Sequence, residues 1–225
     1  NGDTYITETQ KTVGRTHLVP RALVRGLFGQ WENRSVATNG LLLNLSGKAP
    51  LPAQTAMPKL PAFNRRDAKS EDQRGLDLRA GFSLDLWLAP GARAPGQALL
   101  DSRDAEGKGL LVAAAENGSL RITLNDGRTE CAWSSDQGLL APDQPHHAVI
   151  TVDGGPKIIT FVVDGVLCDG GDQRQFGWGR FSPNLRAPDG SPTLAIAPAV
   201  KSLRLYGRAL RTSEAVGNFK AGCQP

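Results

Sequence analysis

The chain has 225 residues, of which 40% are hydrophobic, and it carries a formal net charge of +4. This length is enough to bury a full core, and an all-β sandwich of this size often forms a single domain. The lysines and arginines are scattered, and no helix-turn-helix, zinc-finger or RNA-binding signature accompanies them, so we exclude a nucleic-acid partner. No apolar run reaches the about 20 residues of a membrane-spanning helix.

The N-terminal segment differs from the rest of the chain. The sequence DTYITET at 3–9 predicts a short strand, and QKTVGRTHLVP after it reads as a polar connector. We therefore predict an arm or linker over residues 1–22, either the tail of an upstream domain or an edge-packed or disordered arm. The main domain is predicted to span residues 23–225 and to open with a strand at RGLFGQW.

A regular series of strands is predicted after this opening. LLLNLSG at 41–47 gives the second strand, and residues 48–72 give a long surface loop. The later predicted strands, separated by glycine-containing turns, are 75–79, 82–90, 98–104, 109–115, 119–125, 129–135, 146–155 and 157–165. In the strand at 82–90 the apolar residues alternate onto one face, and Asp85 and Trp87 lie on the other. The Asp126-Gly127 turn predicts a hairpin.

The C-terminal sequence predicts a last strand followed by a short helix. In the strand VKSLRLY, Tyr206 is expected to face the core and Arg204 the solvent. Thr212 or Ser213 is expected to cap the helix, with Glu214 in its first turn, where a negative charge is favourable. The fold class is therefore all-β, with two packed antiparallel sheets and a short C-terminal helix.

Four segments, in the same order, resemble motifs of the concanavalin A-like, laminin G-like jelly rolls. They are RGLFGQW, FSLDLWLAP, the segment 145–165 with its paired histidines, and RLYGRALRTSEAV. The resemblance covers roughly residues 23–223, apart from 48–72, and implies a two-sheet antiparallel jelly-roll sandwich. Such bacterial modules often accompany glycosidases, sialidases and sulfatases. The resemblance thus implies a secreted, periplasmic or cell-surface module without catalysis of its own.

Glycoside hydrolase activity is the weaker alternative. It needs two facing carboxyl groups, about 5 Å apart for retention or about 6.5–9.5 Å apart for inversion. Hydrolases of this sandwich usually place them in an E-x-D-x-x-E strand, a pattern that this sequence lacks. The nearest carboxylate pairs are Asp77 with Asp85 and Asp101 with Asp104.

Calcium is the one cofactor that the resemblance suggests, because many laminin G-like domains hold Ca²⁺ on a rim loop with oxygen ligands. The aspartates in such loops are Asp101, Asp104, Asp126, Asp164, Asp169 and Asp172. Asp-Gly sequences also form turns without a metal, which is the structural alternative. His146 and His147 are adjacent in a strand and point to opposite faces, so together they cannot chelate one ion.

Three groups of residues are candidates for carbohydrate binding, which combines an aromatic face with charged or amide side chains. They are Asn125, Arg128 and Trp133 in one hairpin, Asp101 with Arg103 beside it, and Arg174, Trp178 and Arg180 in the loop 171–183. Trp178 has the alternative role of capping the core. We predict a carbohydrate-binding or accessory module. The alternative is a docking module that packs against an attached catalytic domain through an apolar patch that contains Trp178, and a flat apolar face near residues 1–22 would favour this alternative.

The chain has three cysteines, and this odd number allows at most one intrachain disulfide. The predicted pair is Cys168 with Cys223, because the last strand and helix must pack back onto the sandwich.

Overall fold

A computed structural model of the protein describes residues 2–8, 14–47, 50–63, 81–91, 96–115 and 117–223. The elements, in chain order, are β1 (Thr4–Glu8), β2 (Arg15–Val19), α1 (Arg21–Gly29), a 3₁₀ helix (Gln30–Glu32), β3 (Leu41–Asn44), β4 (Gln54–Ala56), β5 (Gly81–Leu88), β6 (Gln97–Asp101), β7 (Gly109–Ala114), β8 (Leu120–Asn125), β9 (Glu130–Ser134), β10 (His146–Asp153), β11 (Ile158–Val163), β12 (Val166–Leu167), β13 (Gly179–Arg180), β14 (Thr193–Ile196), β15 (Val200–Tyr206) and α2 (Thr212–Lys220).

Two antiparallel sheets pack face to face, which confirms the predicted sandwich. Sheet I has the strand order β12-β11-β10-β5-β15-β3, with β13 also paired to β11, and sheet II has the order β4-β14-β6-β7-β8-β9. The apolar row predicted in β5 has no exposed surface and faces the core: Phe82, Leu84, Leu86 and Leu88. A matching row from β8 closes the other side of the same core: Leu120, Ile122 and Leu124. Alternation in each strand therefore brings the two apolar faces together.

Most strands lie where the sequence places them, with shifted ends. One correction concerns the predicted loop at 48–72, in which Gln54–Ala56 forms β4 and pairs with β14. Residues 48–49 and 64–72 of that loop, and the predicted strand at 75–79, lie outside the described residues. Three residues are too short a run for an alternation pattern, so β4 depends on its partner strand rather than on its own sequence.

The N-terminal region is a further correction. Arg15–Val19, predicted as connector, is strand β2 and pairs antiparallel with β1. The segment RGLFGQW is not a strand, because its first five residues belong to helix α1 and its last two to the 3₁₀ helix. The apolar residues in it recur at helical rather than alternating spacing, which the sequence interpretation overlooked. The predicted boundary between residues 22 and 23 falls inside α1, and the division into domains stays a prediction.

The outer face of sheet I is buried beneath α2, which overturns the expectation for Arg204. Its side chain is 1% exposed, and its Nη1 lies 3.4 Å from Oδ1 of Asp85, a fully buried carboxylate. Asn218 of α2 donates a hydrogen bond to the other oxygen of Asp85. Leu203 packs in the core between the sheets, whereas Tyr206 lies on the outer face, because residues three apart in a strand point to opposite sides.

Helix α2 begins one residue before the expected position. Arg211 is its N-cap, so the prediction of Thr212 or Ser213 as the cap is wrong. Glu214 does lie in the first turn, where it accepts the backbone N–H of Arg211. It also pairs with Arg208 at 2.7 Å, and the hydrogen bonds from that guanidinium lower the pKa of Glu214. Neither helix in the described part of the chain has the length and apolar character needed to cross a bilayer.

The predicted disulfide between Cys168 and Cys223 is wrong, because both are free thiols, as is Cys131. Cys168 is buried inside the sandwich, whereas Cys223 is exposed beyond the end of α2. Packing the helix back onto sheet I thus brings the chain end to the surface rather than to the buried thiol. Burial raises the pKa of both Cys131 and Cys168 to about 11.

We expect one fast-reacting thiol in the native protein. At pH 8 a thiol reagent should modify Cys223 about tenfold or more faster than the other two cysteines, because the thiolate is the reactive form. The rate of colour release with an aromatic disulfide measures this, and a Cys223→Ser variant should lose the fast phase. A fast phase of two thiols would contradict the burial of Cys168.

Candidate functional site

An open groove of about 340 Å³ lies along β9, the edge strand of sheet II. We call it the β9 groove, and its lining is Asn117, Ser119, Arg121, Ala132, Trp133, Ser134, Ser135, Asp136, Gln137, Gly170, Gln173 and Arg174. One wall comes from β8, from β9 and from the residues just beyond their ends. The other wall comes from the loop 169–174, which reaches across from sheet I. The groove therefore forms where one edge of each sheet meets a connecting loop.

Asp136 fastens that loop to the end of β9. Its carboxylate accepts backbone N–H groups from Asp169 at 3.1 Å and from Gly170 at 3.1 Å. It also accepts Nη2 of Arg174 at 2.6 Å, a charge-assisted hydrogen bond. Asp136 was not among the predicted site residues. A single aspartate after a strand gives no sign that it binds a loop more than thirty residues further along the chain.

Trp133 and Arg174, two predicted site residues from distant segments, are brought together in the groove. The guanidinium carbon of Arg174 lies 4.9 Å from the centre of the Trp133 ring, and Nη1 donates to the carbonyl of Ser134 at 2.9 Å. The indole N–H donates to the carbonyl of Gly177 at 3.2 Å. Gly179 packs so closely that an added Cβ would lie 2.2 Å from Cδ2 of Trp133. The indole is thus a wall held on several sides rather than an open platform.

Trp178 and Arg180 lie outside the groove lining, in an aromatic stack with Phe176. The Phe176 and Trp178 rings are 4.9 Å apart and inclined by 29°, and Arg180 lies 5.6 Å from the Trp178 ring centre. Phe176 is 48% exposed, so this stack is a separate aromatic surface. Glycines alternate with these side chains: Gly179 allows the backbone to pass close to Trp133, and Gly177 allows it to pass close to the backbone of Cys168.

The other four predicted site residues lie at the opposite end of the β8–β9 hairpin. Asp101 and Arg103 form an ion pair of 2.7 Å, and the hydrogen bonds from Arg103 lower the pKa of Asp101. Asn125 donates to Glu130 at 3.2 Å and accepts the N–H of Gly127. Arg128 is exposed in the same turn. One hairpin therefore carries two separate groups, since Trp133 lies in the groove and Asn125 does not.

The predicted calcium ligands hold their own loops instead of forming one site. Asp104 accepts the N–H of Lys108, and Asp126 accepts the N–H of Thr129. Asp164 accepts the N–H of His147 at 2.8 Å and lies 2.7 Å from Nδ1 of His146. Within the described ranges, no group of three or more histidine, cysteine, aspartate or glutamate side chains is placed to hold a metal ion. The residues present do not fit a shared calcium site.

The described carboxylates of the pairs considered for glycoside hydrolysis lie outside the lining of the groove. Asp85 is covered by α2, and its predicted partner Asp77 lies outside the described residues. Asp101 is paired with Arg103, and Asp104 binds its own turn. Among the described residues that line the β9 groove, the one carboxylate is Asp136, which is already paired with Arg174.

Comparison with protein families assigns this chain to a known family. Residues 65–215 match the laminin G-type model described as the concanavalin A-like lectin/glucanases superfamily. The match spans more than half of the chain, so the protein belongs to this family, as the sequence motifs predicted. A comparison with curated protein sequences gave no significant match.

Solved structures with a similar fold have low sequence identity. The binding domain of botulinum neurotoxin serotype D has a TM-score of 0.54 at 11% identity, and the match covers 81% of this chain and 52% of that one. A botulinum neurotoxin type C structure, whose protein interacts with two ganglioside molecules, has a TM-score of 0.53 at 13% identity. The match covers 81% of this chain and 51% of that one. The Ruminococcus gnavus IT-sialidase CBM40 bound to α2,6-sialyllactose has a TM-score of 0.49 at 10% identity. The match covers 74% of this chain and 97% of that one. The chain spans about half the length of the toxin domains.

Proposed function

We propose that the protein is a secreted, non-catalytic carbohydrate-binding module that binds a glycan in the β9 groove. The observation that carries this proposal is the lining of the groove, where amides, hydroxyls and guanidiniums surround one indole wall. Sugar hydroxyls are bound by such planar polar groups, and the ring C–H groups pack on aromatic carbon. The type C toxin structure of similar fold interacts with gangliosides, which agrees with a binding role for this architecture.

The groove suits binding better than hydrolysis. Cleavage of a glycosidic bond needs an acid and a second carboxylate on opposite sides of the bond. The described lining supplies Asp136 alone, and its oxygens already bond two backbone N–H groups and Arg174. Its role is to fix the wall of the groove. A preformed wall lowers the entropy lost on binding, which favours a ligand that enters an existing shape.

The test is binding to a broad glycan array, followed by titration of the best glycan against groove variants. We expect a Gln137→Ala/Gln173→Ala protein to bind about tenfold more weakly, because two amide groups of the lining are removed. Both residues are exposed, so the variant should keep the unfolding midpoint of the wild type. Phe176→Ala is the matched control, since it alters the neighbouring aromatic stack and leaves the groove lining intact.

Three outcomes of these titrations distinguish the β9 groove from the aromatic stack of Phe176 and Trp178 as the binding surface. Loss of binding in the glutamine variant alone supports the groove. Loss in Phe176→Ala, with the glutamine variant unchanged, moves the site to the stack of Phe176, Trp178 and Arg180. A blank array, with or without EDTA, contradicts the carbohydrate-binding proposal, and the EDTA arm tests independently for a required divalent cation.

A docking module that packs against an attached catalytic domain is the second candidate, and the N-terminal region favours it. Helix α1 has no buried residue. Its Leu23, Leu27 and Phe28 are 54%, 58% and 74% exposed, and β1 and β2 add exposed Tyr5, Ile6 and Leu18. The apolar patch expected for docking is thus at α1 and the β1–β2 hairpin rather than around Trp178. Arg15 and Arg25 border it and would complement an acidic rim on the catalytic domain.

Hydrogen exchange tests the docking candidate. The amides of α1 should exchange about tenfold or more slowly when the chain is joined to a catalytic domain than in the chain alone, because docking removes local opening. A Leu27→Ser/Phe28→Ser variant should lose this protection and keep the stability of the sandwich. Equal exchange in both settings would contradict docking at α1 and would leave the groove proposal unaffected.

A further inference from the structure

Several hydrogen-bond acceptors in the β9 groove already bond to groups of the protein itself. Both oxygens of Asp136 are bonded to the 169–174 loop. Oδ1 of Asn117 accepts the N–H and the hydroxyl of Ser119, at 3.1 and 2.7 Å. The carbonyl of Ser134 accepts Nη1 of Arg174. These contacts leave the amide nitrogen of Asn117 and the guanidinium of Arg121 facing the groove as donors.

The charges of the lining are also unbalanced. Among the residues that the structure describes, the charged ones in the lining are Arg121, Asp136 and Arg174, so two positive groups and one negative group leave one net positive charge. Arg174 is held by Asp136 at 2.6 Å and is neutralised by it. Arg121 is exposed on β8, opposite Ser134 of β9. In the described part of the chain its guanidinium forms no hydrogen bond or ion pair.

We infer that the groove selects a glycan bearing an anionic group, a carboxylate or a sulfate, and that Arg121 is the residue that binds this group. The inference rests on the proposed function, because it assigns the ligand class of the same groove. A guanidinium matches the two oxygens of a carboxylate or sulfate with two parallel N–H bonds, which an ammonium or an amide cannot do. The neighbouring amide donors of Asn117, Gln137 and Gln173 serve the uncharged hydroxyls.

Arg121 is positioned for binding rather than for stability. It lies on the outward side of β8, whose opposite face supplies Leu120, Ile122 and Leu124 to the core. Because alternate residues of a strand point to opposite faces, Arg121 can be replaced without changing the apolar row that packs in the core. Asp136 and Arg174 differ in this respect, because their replacement would also release the loop 169–174.

The experiment titrates three tetrasaccharides by calorimetry: a uronic-acid oligosaccharide, a sulfated galactose oligosaccharide and a neutral glucose oligosaccharide. The wild type should bind at least one anionic probe about tenfold or more tightly than the neutral one, and affinity should fall as salt rises. Arg121→Gln should lose this preference, and Arg121→Lys should keep part of it. Arg186→Gln, another exposed arginine outside the groove, is the matched control and should bind as the wild type does.

The possible outcomes distinguish a failure of this inference from a failure of the proposed carbohydrate binding. Equal binding of anionic and neutral probes, or an anionic preference that survives in Arg121→Gln, overturns the inference and leaves carbohydrate binding standing. Preference for the uronic acid over the sulfated probe identifies the anionic group as a carboxylate, and the reverse identifies a sulfate. If none of the three probes binds and the glycan array is also blank, both the inference and the proposed function fail.

Discussion

Replacing Asp85 with alanine is expected to lower the free energy of unfolding by about 3–5 kcal/mol. Asp85 has no exposed surface, and its carboxylate is the partner of Arg204 at 3.4 Å and of the Asn218 amide. Its loss leaves a guanidinium buried beneath α2 with no opposite charge. Nε2 of His147 also lies 3.3 Å from Asp85, so the same change removes the anion nearest to a fully buried imidazole.

Urea unfolding followed by tryptophan fluorescence measures this loss. Asp101→Ala is the matched control, because Asp101 pairs with Arg103 at the surface, and such pairs contribute about 0–1 kcal/mol. A double variant, Asp85→Leu/Arg204→Met, should recover most of the stability, since apolar residues of similar size often replace a buried ion pair without loss. If Asp85→Ala costs no more than Asp101→Ala, the buried cluster does not hold α2 in place.

Replacing Lys157 with methionine is expected to stabilise the protein by about 2 kcal/mol at pH 7. Lys157 is 2% exposed, and its Nζ has no hydrogen-bond partner among the residues that the structure describes. The ammonium lies 5.2 Å from the Phe63 ring centre and 5.6 Å from that of Phe181, contacts that offset part of the cost of burial. Burial nevertheless lowers the pKa of Lys157 to about 8 from 10.5.

The pH dependence distinguishes a charge effect from better packing. Below pH 8 the lysine is protonated in both the folded and the unfolded chain, so the full cost of the buried charge is present. Between about pH 8 and 10.5 the unfolded state binds more protons than the folded state, so the wild type gains stability as pH rises. The advantage of Lys157→Met should therefore shrink across this window.

Urea titrations at pH 7, 9 and 10.5 test this expectation. Lys201→Met is the control, because Lys201 is exposed and its ammonium bonds to the carbonyl of Pro198. The control should match the wild type at each pH. A constant advantage of Lys157→Met at all three values would show that packing, rather than the charge, is the cause.

The two large stability effects and the proposed binding site occupy different parts of the sandwich. The Asp85 cluster lies on the outer face of sheet I, beneath α2. Lys157 is the last residue of the β10–β11 turn, and the β9 groove lies at the edge of sheet II. Changes at Asp85 or Lys157 should accordingly leave the proposed glycan binding in the β9 groove unchanged where the protein remains folded, because distant sites contribute independently.

The sequence by itself determined the family and most of the long strands of the sandwich, because alternation is a local property, whereas short strands such as β4 and β14 gave no such pattern. The row of Phe82, Leu84, Leu86 and Leu88 shows its buried face through spacing alone. Helix α1 was not predicted, because the helical spacing of the apolar residues in RGLFGQW is carried by too few residues to stand out beside the alternating strands.

The tertiary structure decided which polar side chains are buried and which meet. Arg204 alternates with leucines as a surface residue would, and only the helix packed over sheet I makes it a buried charge. Trp133 and Arg174 were each selected from local composition, but Asp136, which joins their segments, was not. Hydrogen bonds between segments far apart in the chain leave no periodic pattern, so the groove could not be assembled from sequence spacing. Its geometry follows from sheet edges and loop closure, which exist only in the folded protein.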